Sequence, residues 1–142
     1  MTTCRKIVEE VIHGKRRLVV DRGGDIEKEY RNKIRISNKP TIGRVFMTWL
    51  YRESWGSVVR VSITKEGDNV YKQFPKDEAL KKFDPSDRKF IAVACAHGGK
   101  PEVMQATDSK WWAFRDVFRR LGIRVVFLCE DYVKEKYRTK QR

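Results

Sequence analysis

Two helical patterns alternate with two strand-like segments in the C-terminal half of the chain, and this alternation constrains the fold most strongly. Apolar residues recur at helical spacing over Pro85–His97 and Trp111–Leu121, while Val103–Thr107 and Ile123–Cys129 have the length and composition of strands. Apart from Arg124, the second of these segments is continuously apolar, which is typical of a strand covered on both faces. The sequence therefore predicts an α/β fold with a small, mainly parallel sheet flanked by helices.

The N-terminal half also alternates helices and strands. Thr3 is a suitable N-cap for a first helix that ends at Gly14, and Leu18–Val20 is a short strand of the buried type. The other predicted elements are a helix over Asp25–Ile36, a break at Lys39–Thr41, a helix over Ile42–Leu50, a strand over Val58–Thr64 and a polar loop over Lys65–Pro75.

Length and composition favour one domain. A chain of 142 residues with a hydrophobic fraction of 40% is long enough to bury a core of its own. The segment Glu130–Arg142 is polar and basic, and we expect it to be helical or frayed. We therefore expect a single domain over residues 1–142 with a basic tail from about residue 130.

The charge balance favours a polyanionic partner. Lys and Arg number 32 against 19 Asp and Glu, which gives a formal net charge of +13. Such a field attracts nucleic acid at long range. Two alternatives remain open: a solvated basic surface without a specific ligand, and a basic structural protein. An anionic membrane is less favoured, because no basic amphipathic stretch stands out.

Cysteine usage and hydropathy indicate a compartment. Cys4, Cys95 and Cys129 are odd in number and widely spaced, which argues against a disulfide framework or a zinc site. No apolar run is long enough to span a membrane, and the N-terminus lacks the zones of a signal peptide. We therefore expect a cytoplasmic protein with no membrane partner.

Acidic residues mark the predicted edge of the sheet. Asp87 opens the long helix and Asp108 ends the strand that follows it. In an open α/β sheet, ligands favour the edge where strand ends and helix starts meet. Paired carboxylates at such an edge commonly hold Mg²⁺ or Mn²⁺ for phosphodiester chemistry.

Each of these acids also has a structural interpretation. Asp84-Pro-Ser-Asp87 is a good helix start, and a structural role is favoured for Asp87 from its position in the first turn. Asp108 suits the N-cap of the next helix. Glu29 lies at the border of a helix's apolar stripe, where an acidic side chain is usually exposed to solvent. Asp21 suits a turn before two glycines.

Trp111 and Trp112 likewise have two interpretations. Paired aromatic side chains stack on bases in many nucleic-acid-binding proteins. At the start of a helix they more often pack onto the sheet, and Phe114, Val117 and Phe118 continue the apolar face of this helix.

Four segments together resemble the PIN-domain nucleases, and more closely a branch of PIN-like bacterial and archaeal proteins of undetermined role. In order, they are Leu18–Asp21 with Gly24–Arg31, Phe83–Ala94, Ala106–Trp112 and Gly122–Cys129. The resemblance implies a three-layer fold in which acids gather around divalent metal, and single-stranded RNA as the common substrate. The metal would activate water and stabilise the phosphate's developing charge.

By the same resemblance, Glu29, Asp87 and Asp108 match the acids that hold Mg²⁺ or Mn²⁺ and would be the catalytic set. Arg88 and Lys110 would meet phosphate. The resemblance also suggests a toxin or defence system with a cognate inhibitor protein.

Two departures from the family pattern favour an alternative function. No strand ending in an Asp-Thr-Asn type motif precedes Thr3, so the first metal-binding aspartate is absent from this sequence. Three explanations are open: the true start lies upstream, the chain is truncated, or this member has lost the strand. Without the strand, the sheet either closes differently or exposes an edge that pairs with a second copy in a homodimer. Lys110 stands where relatives often carry another acid, and a cation there weakens metal affinity. The alternative is a catalytically impaired module that binds nucleic acid or protein.

Overall fold

A computed structural model of the chain describes residues 2–35, 42–52, 58–98, 100–105 and 108–141. These residues belong to two compact units, Met1–Ser62 and Ile63–Arg142. Helices and short strands alternate in both units, which confirms the α/β class. The single domain expected over residues 1–142 stays a prediction.

The first unit places three helices around a pair of parallel strands. Leu18 pairs with Val58 and Asp21 with Val61, so the short apolar strands run side by side. The elements are α1 (Thr2–Ile12), β1 (Leu18–Asp21), α2 (Asp25–Arg35), α3 (Ile42–Arg52) and β2 (Val58–Val61). Four buried side chains form its core cluster: Val11, Met47, Trp49 and Leu50.

The second unit contains one antiparallel and one parallel strand pair, with helices packed on the parallel pair. Val103 pairs with Val125 and Gln105 with Phe127. The strands are β3 (Lys65–Gly67), β4 (Val70–Tyr71), β5 (Val103–Gln105) and β6 (Val125–Phe127). The α-helices are α4 (Arg88–Ala96), α5 (Arg115–Arg120) and α6 (Glu130–Lys140), and 3₁₀ segments span Glu78–Leu80, Pro85–Asp87 and Ser109–Phe114.

An aromatic cluster forms the core of the second unit. The Phe83 ring meets Trp111 edge-on with centroids 5.0 Å apart, and Phe118 edge-on at 5.5 Å. Leu80, Ile91 and Ile123 complete the buried set. Full burial of one such side chain stabilises the fold by roughly 1.5–3 kcal/mol, so this cluster fixes the segments that carry the site described below.

Three sequence predictions are corrected in the second unit. The segment Lys65–Pro75, expected to be a polar loop, contains the β3–β4 hairpin, whose turn places Asn69 at a φ of 57°. Both long helices expected here begin with a 3₁₀ segment before the α-helix starts at Arg88 or Arg115. The last strand is shorter than expected, and its Val126 is exposed rather than covered.

The parallel pairing of the short strands is confirmed, although the described strands form two-stranded sheets. The basic tail is helical, as α6. The expected helix end at Ile36, the break at Lys39–Thr41 and the strand end at 106–107 lie outside the described residues.

None of the helices that the structure describes is long and apolar enough to cross a membrane.

Candidate functional site

The turn Asp84-Pro-Ser-Asp87 holds two carboxylates next to each other in the second unit. Asp84 is the N-cap of the 3₁₀ segment, and its carboxylate accepts from the Ser86 backbone N–H at 3.0 Å and from the Ser86 hydroxyl at 2.9 Å. Pro85 follows as the first helical residue, where its missing N–H costs nothing. The helix start predicted at Asp84-Pro-Ser-Asp87 is thus confirmed, with Asp84 as its N-cap.

Asp87 is a buried acid with a long-range partner. Its exposed fraction is 8%, and its Oδ2 accepts from the Trp111 indole N–H at 3.1 Å. A buried carboxylate needs such donors, because an unpaired charge away from water is costly. This hydrogen bond ties the start of α4 to the 3₁₀ segment Ser109–Phe114.

Asp108 caps that 3₁₀ segment. Its carboxylate accepts from the Lys110 backbone N–H at 2.9 Å, and its own backbone N–H donates to the Gln105 side chain at 3.4 Å. The capping interpretation of Asp108 is therefore confirmed. As a consequence, Ser109 and Lys110 occupy fixed positions immediately after the cap.

Helix α6 packs against the segment Ser109–Phe114. Val133 of α6 is fully buried, and Lys140, about two turns further along the helix, donates from Nζ to the Ser109 hydroxyl at 3.3 Å. Glu130 and Asp131 lie at the helix start and Arg138 and Lys140 at its end, which is the favourable arrangement for the helix dipole.

These three segments line an open cleft of about 440 Å³ within the second unit. Its lining residues include three lysines, two acids, a serine and several aromatic side chains: Lys82, Phe83, Asp84, Asp87, Ser109, Lys110, Trp111, Ala113, Phe114, Tyr137, Lys140 and Gln141. We call this surface the lysine cleft. Its volume lies in the range of small-ligand sites, roughly 300–1,000 Å³.

Cations outnumber anions in the lysine cleft. The Lys110 side chain is 66% exposed, and its Nζ lies 3.8 Å from Oδ2 of Asp84, whose side chain is 32% exposed. An ion pair this open to water contributes little energy. Among the residues that the structure describes, Lys82 and Lys140 have no acidic side chain within 4.0 Å, so two amines remain for an anionic ligand.

Arg88 is engaged elsewhere. Its guanidinium donates to the backbone carbonyls of Lys81 at 2.9 Å and Phe83 at 3.2 Å, and it lies 5.1 Å from the centroid of the Phe74 ring. The lining of the lysine cleft does not include it. Its predicted contact with phosphate stays a prediction, while its position shows it bracing the turn that precedes α4.

Glu29 belongs to the first unit, on α2. It neighbours Tyr30, whose ring meets Phe46 edge-on at 5.7 Å. Burial raises the pKa of Tyr30 to about 12, with a smaller contribution from the negative charge of Glu29.

Of the predicted site residues, the structure brings Asp87 and Lys110 into one cleft and places Asp108 beside it.

Asp21 is an acid whose role the sequence analysis missed. It is 1% exposed, and its two carboxylate oxygens accept from the backbone N–H groups of Asp25 at 2.8 Å and Ile26 at 2.9 Å. It therefore caps α2 from the end of β1, and its backbone carbonyl also accepts from the Gly24 N–H at 3.4 Å, which confirms the predicted turn. The usable signal was an acid ending an apolar run a few residues before a helix start.

The described residues do not offer a complete set of ligands for Mg²⁺ or Mn²⁺. Asp87 accepts from an indole and Asp108 from a backbone N–H. Within the described ranges, no group of three or more His, Cys, Asp or Glu side chains is arranged to hold a metal ion. The metal site expected at Glu29, Asp87 and Asp108 stays a prediction.

Comparison with protein-family models, with curated proteins and with solved structures finds no match.

Proposed function

We propose that this protein binds single-stranded nucleic acid, with RNA as the expected ligand, and that the lysine cleft is part of the contact surface. The observation that carries the proposal is that Lys82, Lys110 and Lys140 line one cleft together with Phe114 and Tyr137. Amines attract the phosphate backbone, and aromatic side chains accept bases irrespective of sequence. This is the binding module that the sequence indicated as the alternative function, because Lys110 stands where relatives often carry an acid.

The net charge of the whole chain and the size of the cleft also support nucleic-acid binding. A net charge of +13 draws polyanions to the protein from a distance. The cleft supplies a defined place for part of the strand, because its volume of about 440 Å³ suits a unit the size of a nucleotide. A double helix presents its bases inward, so a cleft with an aromatic lining favours a single strand.

The test is binding of a fluorescent single-stranded RNA over a series of salt concentrations, with EDTA present throughout. The variant Lys82→Gln/Lys110→Gln/Lys140→Gln removes the three cleft amines. The matched control, Arg119→Gln/Lys134→Gln/Lys136→Gln, removes three exposed cations that do not line the cleft. Net charge changes equally in both variants.

We expect the cleft variant to bind more weakly and with a shallower salt dependence. For single strands the slope of log K against log salt changes by about 0.7 for each lost phosphate contact. Equal losses of RNA affinity in the two triple variants would show that binding depends on net charge alone. Absence of RNA binding by the wild-type protein at low salt would refute the proposal.

The second candidate function is the PIN-like, metal-dependent ribonuclease, together with its three-layer fold. The observation that favours it is that Asp87 lines the same cleft as Lys110 and Lys140. It predicts cleavage of end-labelled single-stranded RNA with Mn²⁺ or Mg²⁺ that stops in EDTA and in Asp108→Asn. Cleavage with these properties would replace the binding-only proposal, and intact RNA under all conditions would eliminate the nuclease.

A further inference from the structure

We propose that Ser109, Lys110 and Lys140 form a binding site for one phosphate group of a nucleotide. The inference rests on the proposed nucleic-acid binding, because it names the chemical group of the strand that enters the lysine cleft.

Two consecutive residues present donors at the cleft. The Asp108 cap holds the Lys110 backbone N–H at 2.9 Å and so fixes Ser109 and Lys110 at the start of the 3₁₀ segment. From α6, Lys140 reaches the Ser109 hydroxyl at 3.3 Å. The fold thus joins a hydroxyl and an ammonium by contact and places a second ammonium on the adjacent residue.

The Ser109 hydroxyl has a donor left for a further acceptor. Its oxygen accepts from Lys140 at 3.3 Å, and a hydroxyl can donate its own hydrogen while it accepts. Ser109 is 1% exposed, and its hydroxyl hydrogen has no acceptor among the residues that the structure describes. A phosphate oxygen provides that acceptor, and its hydrogen bonds to charged donors are the stronger kind.

Charge compensation favours an anion at Lys140. Lys110 has the Asp84 carboxylate at 3.8 Å, which holds its ammonium beside the cleft. Lys140 has no acidic side chain within 4.0 Å among the described residues. An entering phosphate therefore meets one uncompensated cation and one weakly paired cation, and it need not displace a buried salt bridge.

The remaining lining accommodates the nucleoside. Phe114 and Tyr137 are half-buried and line the cleft together with Ala113. These apolar surfaces suit the flat face of a base, and the whole cleft is the size of a single small ligand. One nucleotide, with its phosphate at the two lysines, matches both the chemistry and the volume.

The experiment measures adenosine 5′-monophosphate and adenosine binding to the full chain by calorimetry. We expect the monophosphate to bind at least about tenfold more tightly than adenosine, since the latter lacks the charge-assisted hydrogen bonds. Lys140→Gln should lower the affinity for the monophosphate by about tenfold. Lys134→Gln is the same change at a position of the same helix that does not line the cleft. It should alter the affinity for the monophosphate by less than about twofold.

Lys140 is exposed, so its substitution leaves the core intact, and far-UV circular dichroism verifies this. Equal binding of adenosine and its monophosphate, or equal effects of the two lysine variants, would overturn the phosphate site. RNA binding by the wild type alongside either result would leave the proposed function standing. Monophosphate binding without RNA binding would instead overturn the proposed function.

A phosphate reaches this site either from the end of a strand or from within it. Binding of one RNA with and without a 5′-phosphate separates these sources. Tighter binding of the phosphorylated strand, lost in Lys140→Gln, assigns the site to the strand end. Equal binding of both strands, weakened alike in Lys140→Gln, assigns it to internal phosphates.

Discussion

The carboxylate of Asp87 accepts the indole N–H of Trp111 at 3.1 Å, although 24 residues separate the two in the chain. Both side chains are buried, and Trp111 also packs edge-on against Phe83. A sequence position suited to a metal ligand is therefore occupied by an acid that joins the start of α4 to the aromatic core.

Replacing Asp87 by Ala should destabilise the protein. The Trp111 indole N–H would lose its acceptor while remaining buried, which costs about 1–3 kcal/mol. Asp87→Asn keeps a carbonyl oxygen and should lose less. Urea denaturation followed by tryptophan fluorescence measures both. Asp116→Ala, which removes an exposed acid, should change the free energy of unfolding by less than about 0.5 kcal/mol; equal effects of Asp87→Ala and Asp116→Ala would contradict the structural role.

Asp21→Ala should weaken the start of α2. The substitution removes the acceptor for the backbone N–H groups of Asp25 and Ile26, and loss of a helix cap costs about 0.5–2 kcal/mol. Amide hydrogen exchange should accelerate more at Asp25 and Ile26 than at other residues of the first unit. Arg22→Ala, at an exposed neighbour, is the control. Unchanged exchange at Asp25 and Ile26 in the Asp21 variant would show that the cap contributes nothing.

Gly122→Ala should destabilise the turn between α5 and β6. Gly122 has a φ of +74°, a left-handed conformation that costs an L-residue roughly 1–2 kcal/mol. The nearest atom to an added Cβ is Lys100 Nζ at 3.9 Å, so backbone strain is the only penalty. Gly98→Ala, which has open space and no positive φ, should be nearly neutral in the same thermal unfolding assay. A Gly122 variant as stable as the Gly98 variant would contradict the assigned conformation.

Arg120→Gln should raise the pKa of Asp77. The Arg120 guanidinium donates to both carboxylate oxygens of Asp77, at 3.0 and 3.2 Å, and this hydrogen bonding holds the Asp77 pKa below its usual value of 3.8, with help from the Ala79 backbone N–H. A depressed pKa contributes stability that is full above the unfolded value and is lost as the pH falls through the folded one. Carboxyl NMR titration below pH 5 should therefore show Asp77 titrating at higher pH in the variant. An unchanged titration would mean that the ion pair does not persist in solution.

The local elements follow from short-range patterns. Asp84-Pro-Ser predicts a helix start because an acid two residues before a free backbone N–H caps it, and the same geometry recurs at Asp108 and Lys110. The hairpin over Lys65–Tyr71 was missed because its strands are too short and too polar for period-two alternation to emerge.

The sequence by itself determined the α/β alternation, the caps at Asp84 and Asp108 and the basic charge, since each depends on residues close together in the chain or on composition alone. Only the tertiary structure decided that Asp87 bonds to Trp111 and that Lys140 reaches Ser109 across 31 residues. Such contacts depend on tertiary packing: burial of Phe83, Trp111 and Phe118 stabilises the closure of the chain between Asp87 and Trp111, and the packing of α6 on Ser109–Phe114 brings Lys140 to Ser109. The lysine cleft is a product of that closure, so no local pattern could have located it.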